Sequence, residues 1–159
     1  MAAHHIDRLD RKILQTLSEE GYLKNVELAK KVGLSPSACF QHVARLKKDK
    51  IIRGFHADID ATKITPFISV MTMLMLEKQN QAEYQKMNNI IQDIPQIVRA
   101  HRTTGEFDYI LETHAQDFNS FRNIIEDLVN RDVVVKQYHS RIMQEQVKFR
   151  GNIDFPEDR

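Results

Sequence analysis

The chain has no tryptophan and a single cysteine, Cys39, among its 159 residues. One cysteine rules out an intramolecular disulfide, so stability must come from packing, and the usage suits a reducing cytoplasm. Long apolar runs are also missing. The richest stretch, Phe67 to Leu76, is too short to cross a bilayer and is interrupted by Ser69 and Thr72. The opening residues, MAAHHIDRLDRK, contain no apolar h-region, so no signal peptide is expected and the chain is assigned to the cytoplasm. Neither sign of charge dominates: the formal net charge is +1, which alone discriminates between no partners. No metal motif stands out. His4 and His5 are adjacent, a poor chelate, and His101 and His114, read as possible cross-strand neighbours, lack the carboxylate or thiolate that would complete a zinc site. No metal, no cofactor and no catalytic residue are expected.

What is present is concentrated between Asn25 and Gly54. Val26, Leu28, Ala29 and Val32 fall on or near one helical face, and Gly33 follows as a stop where a left-handed backbone meets no side-chain clash. Leu34 plugs the turn. Ser35 then caps a second helix and Pro36 fits its first position. Cys39, Val43 and Leu46 recur at i, i+4 and i+7, a buried stripe that gives Cys39 a packing role. Ser37, Ala38, Gln41, His42 and Arg45 occupy the other face, and with Ser35 they form a set suited to base edges and phosphates. Lys47, Lys48, Lys50 and Arg53 continue the positive charge. This is the layout of a helix-turn-helix, which places a helix in the DNA major groove.

Charge is distributed to match. Residues 24–53 carry eight basic groups against two acidic ones, a local net of +6, whereas residues 61–159 carry twelve basic and fourteen acidic groups, a net of −2. A basic head on a slightly acidic body is an electrostatic footprint for nucleic acid. A solvated lysine-rich surface is the plainer account of charge alone; the capped turn and the apolar stripe are what favour DNA.

Upstream, Asp7 to Glu20 is expected to be helical, with Leu9, Ile13, Leu14 and Leu17 on one face and Gly21 as its end. Residues 51–60 alternate loosely, as a strand or wing, and 60–66 reads as a hinge. The second half has another rhythm. Phe67 to Leu76 is apolar on both faces, as in a strand covered on both sides. A helix follows over 81–94, then strands over 97–104 and 108–114, a helix capped by Asp117 that carries Phe118, Phe121, Ile125 and Leu128, and a last strand over 133–143. The order βαββαβ predicts a ferredoxin-like α/β sandwich. The predicted class is therefore α+β: a winged helix-turn-helix domain over 1–60 and a ferredoxin-like domain over 67–159. Helices cover only one sheet face, so the methionine face of the first strand, Met71, Met73 and Met75, calls for a second copy of the sheet and a homodimer.

Four segments, IDRLDRKILQTLSEEG, VGLSPSACFQHVARLKKDKII, RGFHADIDATKI and TGEFDYIL, resemble in order and spacing the Lrp/AsnC family of feast/famine transcriptional regulators, over Ile6 to Lys148. The resemblance implies an N-terminal DNA-binding domain and a C-terminal effector and oligomerisation domain. It further implies dimers that assemble further, to tetramers or octamers, and an amino acid or related metabolite bound between them. The family's effector loop maps onto Thr103, Thr104, Gly105, Glu106, Phe107 and Asp108, and its companion segment onto Tyr138, His139, Ser140 and Arg141. Gly105 and its neighbours can present backbone N–H groups to a carboxylate. Asp108 either pairs with an α-ammonium or shapes the hairpin. Tyr138, Ser140 and Arg141 are expected from a neighbouring subunit, with His139 on the other sheet face. Two segments depart from the family pattern: Phe40-Gln41-His42 stands where relatives often have tryptophan followed by arginines, and the last strand lacks the usual threonines.

Some tetrapyrrole decarboxylases share this two-domain plan, which makes an enzyme the alternative, with His101, His114, His139, Arg99, Arg102 and Arg141 as acid/base and carboxylate-binding groups. Those enzymes usually carry a proline-phenylalanine pair in the helix-turn-helix region, and it is absent here. A ligand-sensing module without DNA binding would have lost the basic face, which is retained.

Overall fold

The computed structural model describes residues 6–57, 59–60 and 63–148. The described residues up to Ile59 form one compact unit, and Asp60–Val147 form a second. The first is built from α1 (Arg8–Glu20), α2 (Asn25–Val32) and α3 (Pro36–Lys48). A reciprocal capping box starts α1: the Asp10 N–H donates to Asp7 Oδ1 at 2.7 Å and the Asp7 N–H donates to Asp10 Oδ2 at 3.1 Å. Ile13, Leu17, Leu28, Ala29, Val32, Cys39 and Leu46 close into one core, with Leu34, Val43, Ile51 and Phe55 packed at its margin. Each fully buried Leu or Ile there contributes about 1.5–3 kcal/mol. Leu9 and Val26, expected on the inner faces of their helices, are exposed.

Two helix ends use the same device. After α2, the Leu34 N–H reaches back to the Ala29 carbonyl at 2.9 Å, and Gly33 sits at φ 78° in the left-handed region. After α3, the Ile51 N–H reaches the Leu46 carbonyl at 2.9 Å and the Lys50 N–H reaches Lys47 at 3.0 Å. Both patterns are Schellman motifs, but the left-handed residue of the second is Lys50, at φ 56°. Segment 51–57, read as a strand or wing, is irregular: among the described residues no strand forms there.

The second unit runs β1 (Ile68–Leu76), α4 (Gln81–Asp93), β2 (Ile97–Arg102), β3 (Tyr109–Ala115), α5 (Phe118–Val129) and β4 (Val135–Met143). The sheet is antiparallel with order β2-β3-β1-β4, the ferredoxin-like arrangement expected from the element order. Val70, Leu74, Leu76, Tyr109 and Leu111 are buried on its helix-covered face with Met87, Ile90, Ile91, Phe121, Ile125 and Leu128. Phe118, expected to join them, is exposed on the first turn of α5. Met71, Met73 and Met75 alternate onto the opposite, open face. Two cross-strand rows run there: Arg99–Glu112–Met71–Arg141 and His101–Ile110–Met73–His139.

Candidate nucleic-acid interface and effector loop

Ser35 caps α3 as the sequence predicts, its hydroxyl accepting from the Ala38 N–H at 3.2 Å. The Asn25 side-chain amide donates to the Pro36 carbonyl at 2.8 Å and ties the start of α2 to the start of α3. The two helices are thus fixed at the turn by hydrogen bonds as well as by the core. Cys39 and Leu46 point inward. Burial pushes the Cys39 thiol up, in keeping with an inert packing residue. On the far side of the helix Ser35, Ser37, Gln41, Lys47, Lys48 and Lys50 are exposed, and Ala38 is half-buried.

His42 and Arg45 do not share that freedom. Asp10 is fully buried at the α1–α3 contact. His42 Nδ1 lies 2.8 Å from Asp10 Oδ1, and the Arg45 guanidinium donates to Asp10 Oδ2. Burial pushes the Asp10 carboxyl up, but hydrogen bonds from His42, Arg45 and the Asp7 N–H, with the positive charge of Arg45, outweigh it and leave Asp10 below its ordinary value. The same bond raises Arg45. Arg45 keeps 40% of its side chain exposed, so its outer edge still faces solvent while its inner edge is committed to the protein. Lys47 is likewise partly engaged, with Nζ 5.1 Å from the Phe55 ring centroid.

Asp10 was not singled out from the sequence. Two signals pointed to it: the Asp-x-x-Asp spacing of a capping box, and an acid on the stripe of Ile13 and Leu17, where a charge needs a partner inside the domain. Asp7, Asp10 and His42 also lie close enough together to resemble a metal cluster. Their atoms are already used by the capping box and the Arg45 ion pair.

In the second unit, residues 103–108 form the β2–β3 hairpin loop. Thr103 closes it: its hydroxyl donates to the Phe107 carbonyl at 2.6 Å and its N–H to the Asp108 carbonyl at 2.8 Å. Gly105 sits at the tip with φ 104°, a conformation L side chains rarely adopt. Thr104, Gly105 and Glu106 are exposed. Phe107 packs edge-on against His139, with centroids 5.4 Å apart.

Asp108 has internal partners of the kind its shaping reading calls for. It is buried, and its carboxylate accepts from the Leu76 N–H at 2.8 Å, the Gln79 amide at 3.3 Å and the Tyr84 hydroxyl at 3.0 Å. Burial, then the bond to Asp108, raises the Tyr84 hydroxyl. Arg102 stacks 3.9 Å from the Tyr84 ring centroid.

On β4 the alternation divides the companion segment. Ser140 pairs with Thr72, their hydroxyls 2.9 Å apart, and Tyr138 pairs with Leu74, so both belong to the helix-covered side. Arg141 and His139 pair with Met71 and Met73 and belong to the open side. Tyr138, Ser140 and Arg141, grouped in the sequence reading, therefore cannot line one surface of a single strand; Arg141 goes with His139. Glu112, on the same open-face row, pairs with Arg99 at 3.4 Å and His114 at 3.4 Å. His101 and His114 are not cross-strand neighbours: His101 faces Ile110, and His114 stacks on Phe67. His4 and His5 lie outside the described residues.

Residues 6–53 match a winged helix-turn-helix DNA-binding domain, and residues 69–153 match the Lrp/AsnC ligand binding domain. The leucine-responsive regulatory protein of Escherichia coli K12 is 31% identical over 143 residues, 90% of this chain and 87% of that one. A crystal structure of an AsnC family transcriptional regulator from Agrobacterium tumefaciens superimposes with a TM-score of 0.80 at 27% identity, covering 94% of this chain and 96% of that one. A transcriptional regulator from Neisseria meningitidis, solved as an L-Met complex, gives 0.82 at 26% identity, covering 94% and 97%.

Proposed function

This chain belongs to the Lrp/AsnC family of transcriptional regulators, with a helix-turn-helix DNA-binding head and a ligand-binding domain, and from that premise we propose how its two units divide the work. The head reads double-stranded DNA through α3. Ser35, Ser37, Ala38 and Gln41 lie nearest the bases, Lys47, Lys48 and Lys50 add phosphate contacts, and His42 and Arg45 act chiefly by bracing α3 against α1 through Asp10. The observation that carries this reading is the exposed polar and basic face of a helix whose other face is locked into the core by Cys39 and Leu46.

The second unit senses an amino acid. Its carboxylate would be held by backbone N–H groups of the exposed tip formed by Thr104, Gly105 and Glu106, with Thr103 and Phe107 shaping the loop and Asp108 anchoring it from below. Arg141 and His139 of the open sheet face, from a second copy, complete the site. Supporting this are the left-handed Gly105 tip and the L-Met complex of the Neisseria regulator. The half-exposed methionine row of β1 is covered by a second sheet in a homodimer, and dimers assemble further. The effector acts by binding one assembly more tightly than another. The regulator works in the cytoplasm, beside the DNA; no helix among the described residues is long and apolar enough to cross a membrane. The tetrapyrrole-decarboxylase alternative is not favoured, because the relatives are named transcriptional regulators.

Light-scattering mass during size exclusion, repeated with a panel of amino acids at fixed salt, tests the sensing half. A mass that changes with one amino acid supports it. The same unchanged mass throughout, together with no heat of binding by calorimetry, overturns it.

A further inference from the structure

The outward stripe of α3 contains a residue that neither the fold nor the charge pattern accounts for. Phe40 is 64% exposed in the middle of a helix whose inner face is fully packed. It neighbours Ser37 and Ala44, three and four residues away on the helix surface, and Gln41 follows on the adjoining face; all three are exposed. The basic side chains nearest this part of the helix are engaged within the head or lie further along it. Arg45 and His42 are held by Asp10, Lys47 lies over Phe55, and Lys48 is almost two turns beyond Gln41, in the last turn. What remains in the middle of the helix is an apolar pair, Phe40 and Ala44, with the Gln41 amide beside it.

In the major groove only thymine offers an apolar group, its 5-methyl, and adenine offers the N7 acceptor and N6 donor that an amide can pair with in two places. We propose that Phe40 is a specificity-determining residue: it packs on a thymine methyl, with Ala44 beside it, while Gln41 reads an adjacent adenine, so that the head selects A·T steps at the centre of each half-site. The proposal rests on α3 entering the major groove, and it adds Phe40 and Ala44 to the readers.

The test uses the full-length protein. A preferred duplex is first selected from a random pool. Thymines are then replaced singly by uracil, which removes only the methyl, and adenines by 7-deazaadenine, which removes the N7 acceptor. Wild type is expected to lose about four-fold in affinity at one uracil position, the effect of one buried methyl, and about ten-fold at one 7-deazaadenine position. Phe40→Ala should bind more weakly and be insensitive to that uracil, and Gln41→Ala should be insensitive to that 7-deazaadenine. If no sequence is enriched from the pool, the premise that α3 reads bases fails. If a sequence is enriched but every uracil is tolerated, or Phe40→Ala responds to uracil as wild type does, the premise stands and the assignment of Phe40 is overturned.

Discussion

The carboxylate of Asp10 and the guanidinium of Arg45, 35 residues apart in the chain, form an ion pair whose acid is fully buried. His42 completes it from the same helix. The pair joins α1 to α3, so a buried residue of α1 braces the helix proposed to read DNA.

Removing the acid should therefore loosen α3. Asp10→Ala deletes half of the α1 capping box and strands His42 and Arg45 at a partly buried contact, an expected cost of about 2–3 kcal/mol to the head. Native-state hydrogen exchange reads this locally: α3 amides should lose protection while β1 and β3 amides stay unchanged. Equal loss in both units would show that Asp10 acts on something other than the head.

The pH dependence has a definite sign. Because Asp10 is depressed in the folded head, its contribution is complete above the unfolded carboxylate value and is lost as pH falls through the lower folded one. Wild type and Asp10→Asn should differ in head stability at neutral pH and converge below the ordinary carboxylate range. Urea midpoints measured from pH 7 down to acid would show this; a gap that stays constant would contradict it.

Lys50 sits in a left-handed conformation that favours glycine. Lys50→Gly relieves about 1 kcal/mol of backbone strain, offset in part by the greater freedom of an unfolded glycine. Head stability should be unchanged or slightly higher. If Lys50 contacts a phosphate, the slope of log affinity against log salt should fall by about 0.9. An unchanged slope removes Lys50 from the interface.

Asp108 accepts three hydrogen bonds, from the Leu76 N–H, the Gln79 amide and the Tyr84 hydroxyl. Asp108→Ala should cost about 2–3 kcal/mol, because the Leu76 N–H is left buried. The Tyr84 hydroxyl, relieved of its carboxylate neighbour, should ionise at lower pH, which ultraviolet titration follows. If Asp108 only met ligand, the variant would keep its full thermal stability.

Much of the architecture was legible because its signals are local. Ser35-Pro36 and Gly33 mark helix ends by backbone chemistry alone, and the two-faced apolar pattern of Phe67 to Leu76 identifies the central strand. Segment 51–57 failed as a strand because a loose alternation has no ladder partner written into it; only a pairing strand supplies one. Site residues were harder for a related reason. Side-chain partners across long sequence separations leave no periodic trace, so Arg45 and His42 read as free outward groups although Asp10 holds both. Asp108 was named in advance, but its partners Leu76 and Tyr84, 32 and 24 residues away, were not. On β4, the period of two was visible in advance, yet the family mapping grouped Arg141 with Ser140 across that period.

The buried Asp10 also bears on transferability. A recognition helix is often imagined as a cassette, lifted from one scaffold and set into another with its code intact. Under the proposed reading, the code depends on what the host helix withholds. Grafted beside an α1 that lacks the acid, the same thirteen residues would release a guanidinium and an imidazole into the groove, and an identical sequence would present a different alphabet.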